Sequence, residues 1–202
     1  MALDEIGIFY IYPESTQEFT STYLEEFILF SKIEDGENIL IHGPEKSIGI
    51  FPILLSFMYP NSPITLIFTN SKVKDNFSQI VNQFSGIIDP KMIDAFLIEE
   101  IKEKEIVKQD KILSYASNYN EVELIEFISI TKILLAKKSK LIYFEATTDF
   151  EPEYRSPAIM SNKQIENIFK QFRLKEVEDK SFGHELVGSY FLKAYVNKKA
   201  KN

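Results

Sequence analysis

The sequence predicts an α/β fold: a doubly wound, mostly parallel sheet closed by a C-terminal antiparallel hairpin. Three observations carry this. Glu37 to Asn70 reads strand, turn, buried helix, turn, strand, a βαβ unit of the kind that builds a parallel sheet flanked by helices. Strand and helix patterns then keep alternating to about residue 172. Finally, residues 173–180 and 188–197 read as two strands, and residues 181–187 between them are too few for a crossover helix.

The elements follow in order. Ile6-Gly-Ile-Phe-Tyr-Ile-Tyr12 is rich in β-formers and stops at Pro13, the pattern of an edge strand. Ser15 and Glu18 form a capping box, and Phe19, Tyr23, Phe27 and Phe30 recur at helical spacing to about Ser31. That aromatic stripe is expected to pack on the sheet. Asn38–His42 is a short apolar strand, Gly43–Gly49 the turn after it, Ile50–Tyr59 a buried helix and Ile64–Thr69 the second strand. Asn70 and Ser71 are expected to cap a helix carrying Val73, Phe77, Ile80, Val81 and Phe84, ended by Ser85-Gly86. Met92–Ile98 is a candidate third strand, and the mixed charges of Glu99–Lys108 suit a solvated helix or loop.

Lys111–Ala116 is the fourth strand of this series, followed by the loop Ser117-Asn-Tyr-Asn120. Asn120 and Glu123 give another capping pattern. The helix behind them is expected to present Val122, Ile125, Ile128, Ile133 and Leu135 and to end near Lys137-Lys-Ser139. Lys140–Glu145 is nearly all apolar, as central parallel strands are. After a turn-rich loop from Ala146 to Ile159, Ser161 and Gln164 cap a helix with Ile165, Ile168, Phe169 and Phe172 on one face. The whole chain of 202 residues reads as one domain. Residues 1–36 form an N-terminal strand and helix, 37–197 the core and 198–202 a frayed tail.

Composition narrows the functional classes. There is no cysteine, which rules out disulfides, thiolate metal sites and cysteine nucleophiles. The formal net charge of −7 argues against general nucleic-acid affinity. No apolar run reaches the roughly 18–20 residues that span a bilayer, and Asp4 and Glu5 do not suit a secretory signal. A soluble, cytoplasmic protein is expected. No serine lies in a G-x-S-x-G setting. His42 and His184 are the only histidines and, with scattered carboxylates, define no metal site. Asp149, Glu151 and Glu153 read as a solvated acidic loop. His42, at the end of the first strand, is placed either to meet a ligand or to pack at the strand end.

In parallel sheets of this kind ligands sit beyond the carboxyl ends of the strands. That directs attention to Gly43–Gly49. As a phosphate-binding P-loop the turn is incomplete: Ile48 stands where G-x-x-x-x-G-K-[ST] needs its second glycine, and Gly49-Ile50 where it needs lysine and a hydroxyl. A degenerate RecA-like ATPase relative is one alternative, with Leu141–Glu145 as its apolar strand ending in an acid.

The order of elements resembles the class I S-adenosylmethionine-dependent methyltransferases, Rossmann-like folds whose seven-stranded sheet ends in an antiparallel hairpin. The resemblance lies in Asp110–Asn118, Lys132–Glu145, Ser161–Phe172, Leu174–Glu178 and Tyr190–Val196, and spans about residues 37–197. It implies an S-adenosylmethionine cofactor over His42, Gly43, Pro44 and Glu45, near Asn70 and Ser71. It implies a methyl acceptor (small molecule, protein or RNA) near Asn118 and Tyr119, where some relatives carry N-P-P-Y. Catalysis would rest on orienting that acceptor, with no dedicated base assigned. The cofactor motif departs from the family's. Gly43 keeps the first glycine of a GxGxG-like turn, but Glu45 and Ser47 stand for the next two and Ile41 for the acid before them. Phe68 or Thr69 stands where the second strand commonly ends in an acid. A non-catalytic methyltransferase-like module that binds a partner protein is therefore the other reading.

Overall fold

The turn before the first core strand shows how local chemistry sets the sheet. Gly36 adopts φ +94°, which glycine takes without strain, and its N–H donates to Ser62 Oγ at 2.9 Å. Asp35 accepts from the Asn61 backbone and side-chain amides at 2.9 and 2.6 Å. The chain then enters β1 (Ile39–His42) with the Ile39 amide on the Pro63 carbonyl at 2.9 Å. Asn38 completes the clamp: its backbone N–H and side-chain amide both donate to Asp110 Oδ2, at 3.0 and 3.2 Å. The amino ends of three neighbouring strands are thereby tied together.

These features come from a computed structural model, which describes residues 24–42, 51–102, 105–115, 119–146, 160–184 and 188–197. The expected strand at 6–12, the Ser15–Glu18 capping box and the acidic loop with Asp149, Glu151 and Glu153 lie outside them. The chain divides into two units, Met1–Ile33 and Glu34–Asn202. In the first, residues 24–31 form helix α1; Leu24, Phe27, Ile28 and Phe30 are buried and Leu29 is exposed.

The second unit carries a seven-stranded sheet of order β3-β2-β1-β4-β5-β7-β6. After β1 come α2 (Phe51–Met58), β2 (Ile64–Phe68), α3 (Ser71–Gln83), β3 (Ile93–Leu97) and β4 (Gln109–Tyr115). Then follow α4 (Glu121–Leu134), β5 (Leu135–Ala146), α5 (Asn162–Gln171), β6 (Leu174–His184) and β7 (Gly188–Asn197). β1 to β5 pair in parallel; β7 runs antiparallel to both β5 and β6. Each parallel connection uses a crossover, and the last connection, from β6 to antiparallel β7, is the hairpin that the short spacing of residues 181–187 predicts. The hairpin is tighter than expected: β6 extends to His184, so only 185–187 connect the strands and His184 belongs to β6.

The sheet alternates between its two faces. Leu40, Ile67, Ile112, Leu141, Tyr143 and Tyr195 lie in one core cluster with Leu124, Phe127 and Ile128 of α4 and Ile165, Ile168 and Phe169 of α5. Phe68, in the opposite register to Ile67, packs its ring 5.6 Å from Phe77 of α3. Asn70 is the N-cap of α3, and Asn120 and Ser161 head full capping boxes on α4 and α5. The charged segment after β3 is a 3₁₀ turn, Ile98–Lys102, and then irregular chain over residues 105–108.

Two expectations for α4 are corrected. Its buried face is Leu124, Phe127, Ile128, Thr131 and Leu134, whereas Val122 is 75% and Ile133 62% exposed. Apolar residues occur on every side of the helix, between its charged ones, so periodicity alone does not choose which stripe meets the sheet. It also ends at Leu134 rather than near Lys137. Leu135 already pairs with Gln109, and a register shift between Gln109 and Lys111 absorbs the early start of β5. Sheet pairing here overrides the helical preference of Ala136-Lys137-Lys138.

Candidate site at the carboxyl edge of the sheet

The strand order reverses its direction of growth between β1 and β4. Outside the carboxyl ends of such a pair, crossovers leave in opposite directions and open a crevice. His42, the last residue of β1, stands on one side of it. Tyr119, four residues past the end of β4, stands on the other. The two are bonded: His42 Nδ1 lies 2.9 Å from the Tyr119 hydroxyl, which donates to the His42 carbonyl at 3.1 Å. The hydroxyl carries one proton. With that proton on the carbonyl, Nδ1–H is the donor to the Tyr119 oxygen.

Both residues are buried, His42 at 2% exposure and Tyr119 at 1%. Phe127 of α4 lies under them, 4.8 Å from the His42 ring and nearly parallel to Tyr119 at 5.2 Å. The aromatic row continues from Phe127 to Tyr143, Phe169 and Tyr195 across the α4–α5 face. His42 thus packs at the strand end, and the Tyr119 ring is buried beside it. The sequence contains no motif that announces this pair. The available signal is parity: His42 shares the face of Leu40, two residues earlier, and so turns toward α4.

Asn70 and Ser71 occupy the carboxyl end of β2 and are exposed. Asn70 Oδ1 accepts from the Val73 amide at 3.2 Å, leaving its amide group as the donor at this edge. Asn70 and Ser71 therefore offer donors and acceptors at a helix N-terminus. The other two motif positions are apolar: Ile41 is buried on the sheet face opposite His42, and Phe68 is turned to α3. Gly43, Pro44, Glu45 and Asn118 lie outside the described residues. Among the described residues, no group of three or more histidine and acidic side chains could hold a metal ion, and no helix is long and apolar enough to cross a membrane.

No protein-family model matches this sequence, and no curated protein does. Solved structures do match its architecture. A SAM-dependent methyltransferase from Aquifex aeolicus aligns with a TM-score of 0.67 over 87% of this chain and 89% of its own, at 15% identity. The N-methyltransferase NodS from Bradyrhizobium japonicum WM9, in complex with S-adenosyl-L-homocysteine, aligns at 0.64 over 91% and 88%, with 17% identity. The [4+2]-cyclase SpnF aligns at 0.72 over 89% and 81%, with 10% identity. The fold is therefore that of the class I S-adenosylmethionine-dependent methyltransferases. At these identities the likeness establishes architecture, and the chemistry has to be argued from the site.

Proposed function

We propose that this chain binds S-adenosylmethionine at the carboxyl edge of β1 and β2 and is a methyltransferase-like protein of undetermined acceptor. The observation that carries the reading is the β1–β4 switch point, with exposed polar Asn70 and Ser71 at the adjoining end of β2. The residues present fit the nucleoside half of the cofactor. A ribose diol both donates and accepts, and Asn70 and Ser71 can do the same. At the other half, the described residues supply no acid at that position, since Ile41 holds it; Glu45, two residues past Gly43, is the carboxylate of the following turn. When bound, the cofactor supplies an electrophilic methyl group on sulfur. The chain's part would be to hold an acceptor in line with it, an effect of orientation. His42 and Tyr119 would act by fixing the crevice floor, and Asn118 would be the polar residue nearest the acceptor.

A second reading, binding without turnover, is favoured by Ile41 and by the engagement of the Tyr119 hydroxyl with His42 rather than with an acceptor. The antiparallel β5–β7–β6 closure favours the methyltransferase architecture over the ATPase alternative. Calorimetry on the full chain tests the proposal. S-adenosylmethionine and S-adenosylhomocysteine are expected to bind, ATP–magnesium is expected not to, and Gly43→Trp is expected to abolish the signal. Silence with both adenosyl ligands would refute cofactor binding.

A further inference from the structure

The second apolar stripe of α4 is not wasted surface. Beside it lies a groove of about 800 Å³, walled by α4 and by the chain between β3 and β4. Its apolar lining is Ile98, Ile101, Ile106, Ile130, Ile133 and Leu134. Five of these are isoleucines, stiff at χ1, which makes a preformed surface. Ile130 and Ile106 pack against the core cluster from its edge, so the groove is a continuation of the interior opened to solvent. Val107 is 66% exposed beside it. An apolar surface of this kind on an otherwise charged protein marks a contact site.

The rim identifies the occupant. Among the described residues, Glu99, Glu105 and Glu126 line the groove, and Lys108 is the one lining cation. The Lys108 ammonium donates to the Ile133 carbonyl at the end of α4, which turns it toward the helix terminus. The rim is therefore acidic around an apolar lining. A second copy of this chain would bring carboxylates against carboxylates, on a protein whose formal net charge is already −7. A nucleic acid would meet the wrong charge and an apolar lining.

We propose that this groove docks an amphipathic helix of another protein, with apolar anchors at helical spacing flanked by lysine or arginine. Such helix-in-groove recognition uses anchors at i, i+3, i+4 and i+7, and the carboxylate rim adds steering that weakens with salt. The groove runs from Ile98 and Glu99, just past the carboxyl end of β3, to Lys108, before β4, and the end of α4. His42, Asn70, Ser71 and Tyr119 do not line it, so partner docking is tested separately from the cofactor proposal.

The test uses the full chain and a fluorescein-labelled 15-residue helical peptide of leucine and lysine, read by anisotropy. A charge-inverted leucine–glutamate peptide is the control. Saturable binding of the lysine peptide is expected, weaker at higher salt, with little binding of the glutamate peptide. Ile133→Glu, at an exposed position, should weaken it at least tenfold with an unchanged melting temperature. Val177→Glu, on β6, should leave it intact. Joint replacement of Glu99, Glu105 and Glu126 by lysine should move the preference to the glutamate peptide. No binding of the lysine peptide, or equal binding by Ile133→Glu, would overturn the proposal. So would self-association in sedimentation that Ile133→Glu abolishes, because that outcome assigns the groove to a second copy.

Discussion

His42 and Tyr119, 77 residues apart in sequence, meet through a 2.9 Å contact between Nδ1 and the phenolic oxygen. The contact joins the end of β1 to the chain just beyond β4 and so spans the one place in the sheet where crossovers diverge. A crevice there needs a fixed floor, and buried polar groups fix it only while each is satisfied. Removing the hydroxyl leaves the His42 carbonyl and Nδ1 without this partner in an apolar setting. Tyr119→Phe is therefore expected to cost about 1–3 kcal/mol, read as a lower urea midpoint at unchanged slope. Tyr119→Ala also opens a cavity against Phe127 and is expected to cost about 3–5 kcal/mol.

Asn70 has one observed role and one proposed role, and substitution can separate them. Its Oδ1 caps α3 on the Val73 amide, and under the proposed cofactor binding it would meet the ribose. Asn70→Ala should lose about 1 kcal/mol of stability through the cap and weaken adenosyl-ligand binding as well. Asn70→Asp keeps a capping oxygen and adds a carboxylate that accepts from ribose hydroxyls. It is expected to match wild type in thermal stability and to bind S-adenosylhomocysteine several-fold tighter in calorimetry.

Lys193 sets the acid and alkaline limits of the closing hairpin. Its ammonium reaches Glu166 of α5 at 2.7 Å and Glu176 of β6 at 3.1 Å. The Lys193 hydrogen bond, offset in part by burial, holds the Glu166 carboxyl below its ordinary value. Burial works against the Lys193 charge, but the hydrogen bonds and attraction of both glutamates outweigh it and leave its pKa raised. The signs follow from linkage. The Glu166 contribution is complete above its unfolded pKa and is lost as pH falls through the lower folded value. The Lys193 contribution is complete below its unfolded pKa and is lost as pH rises through the higher folded one. Stability plotted against pH should show a plateau between these limits. Lys193→Met should lower that plateau by about 2 kcal/mol, the scale of a charge-assisted hydrogen bond, and flatten both shoulders in pH-dependent urea melts.

The two faces of α4 give a prediction about packing. Phe127 is fully buried between His42, Tyr119 and Tyr143, so Phe127→Ala should cost about 3–5 kcal/mol. Val122→Ala and Ile133→Ala, on the exposed face, should stay within about 0.5 kcal/mol. Chemical denaturation of the three variants distinguishes the faces directly.

That helix also shows what a sequence can and cannot say. The βαβ unit, the cap at Asn70, the boxes at Asn120 and Ser161 and the closing hairpin are local in origin, and all are present in the structure. Strand order follows from the same local signals through the architecture they resemble. The face of α4 does not, because valine and isoleucine occupy positions on both sides and only tertiary packing chooses. The end of α4 moved for a similar reason: pairing of Leu135 with Gln109 is non-local. In the candidate site, Asn70 and Ser71 were legible as polar residues at a strand end. The His42–Tyr119 bond was not, since it depends on a strand end and a loop brought together by a sheet order that neither residue encodes.

The central claim is that the carboxyl edge of β1 and β2 receives an adenosyl cofactor. A crystal structure of the full chain grown with S-adenosylhomocysteine tests it most directly. The account predicts the ribose against Asn70 and Ser71, above a His42–Tyr119 pair that keeps its hydrogen bond. Ligand density elsewhere on the molecule, or a carboxyl edge that stays empty at saturating ligand, would contradict it.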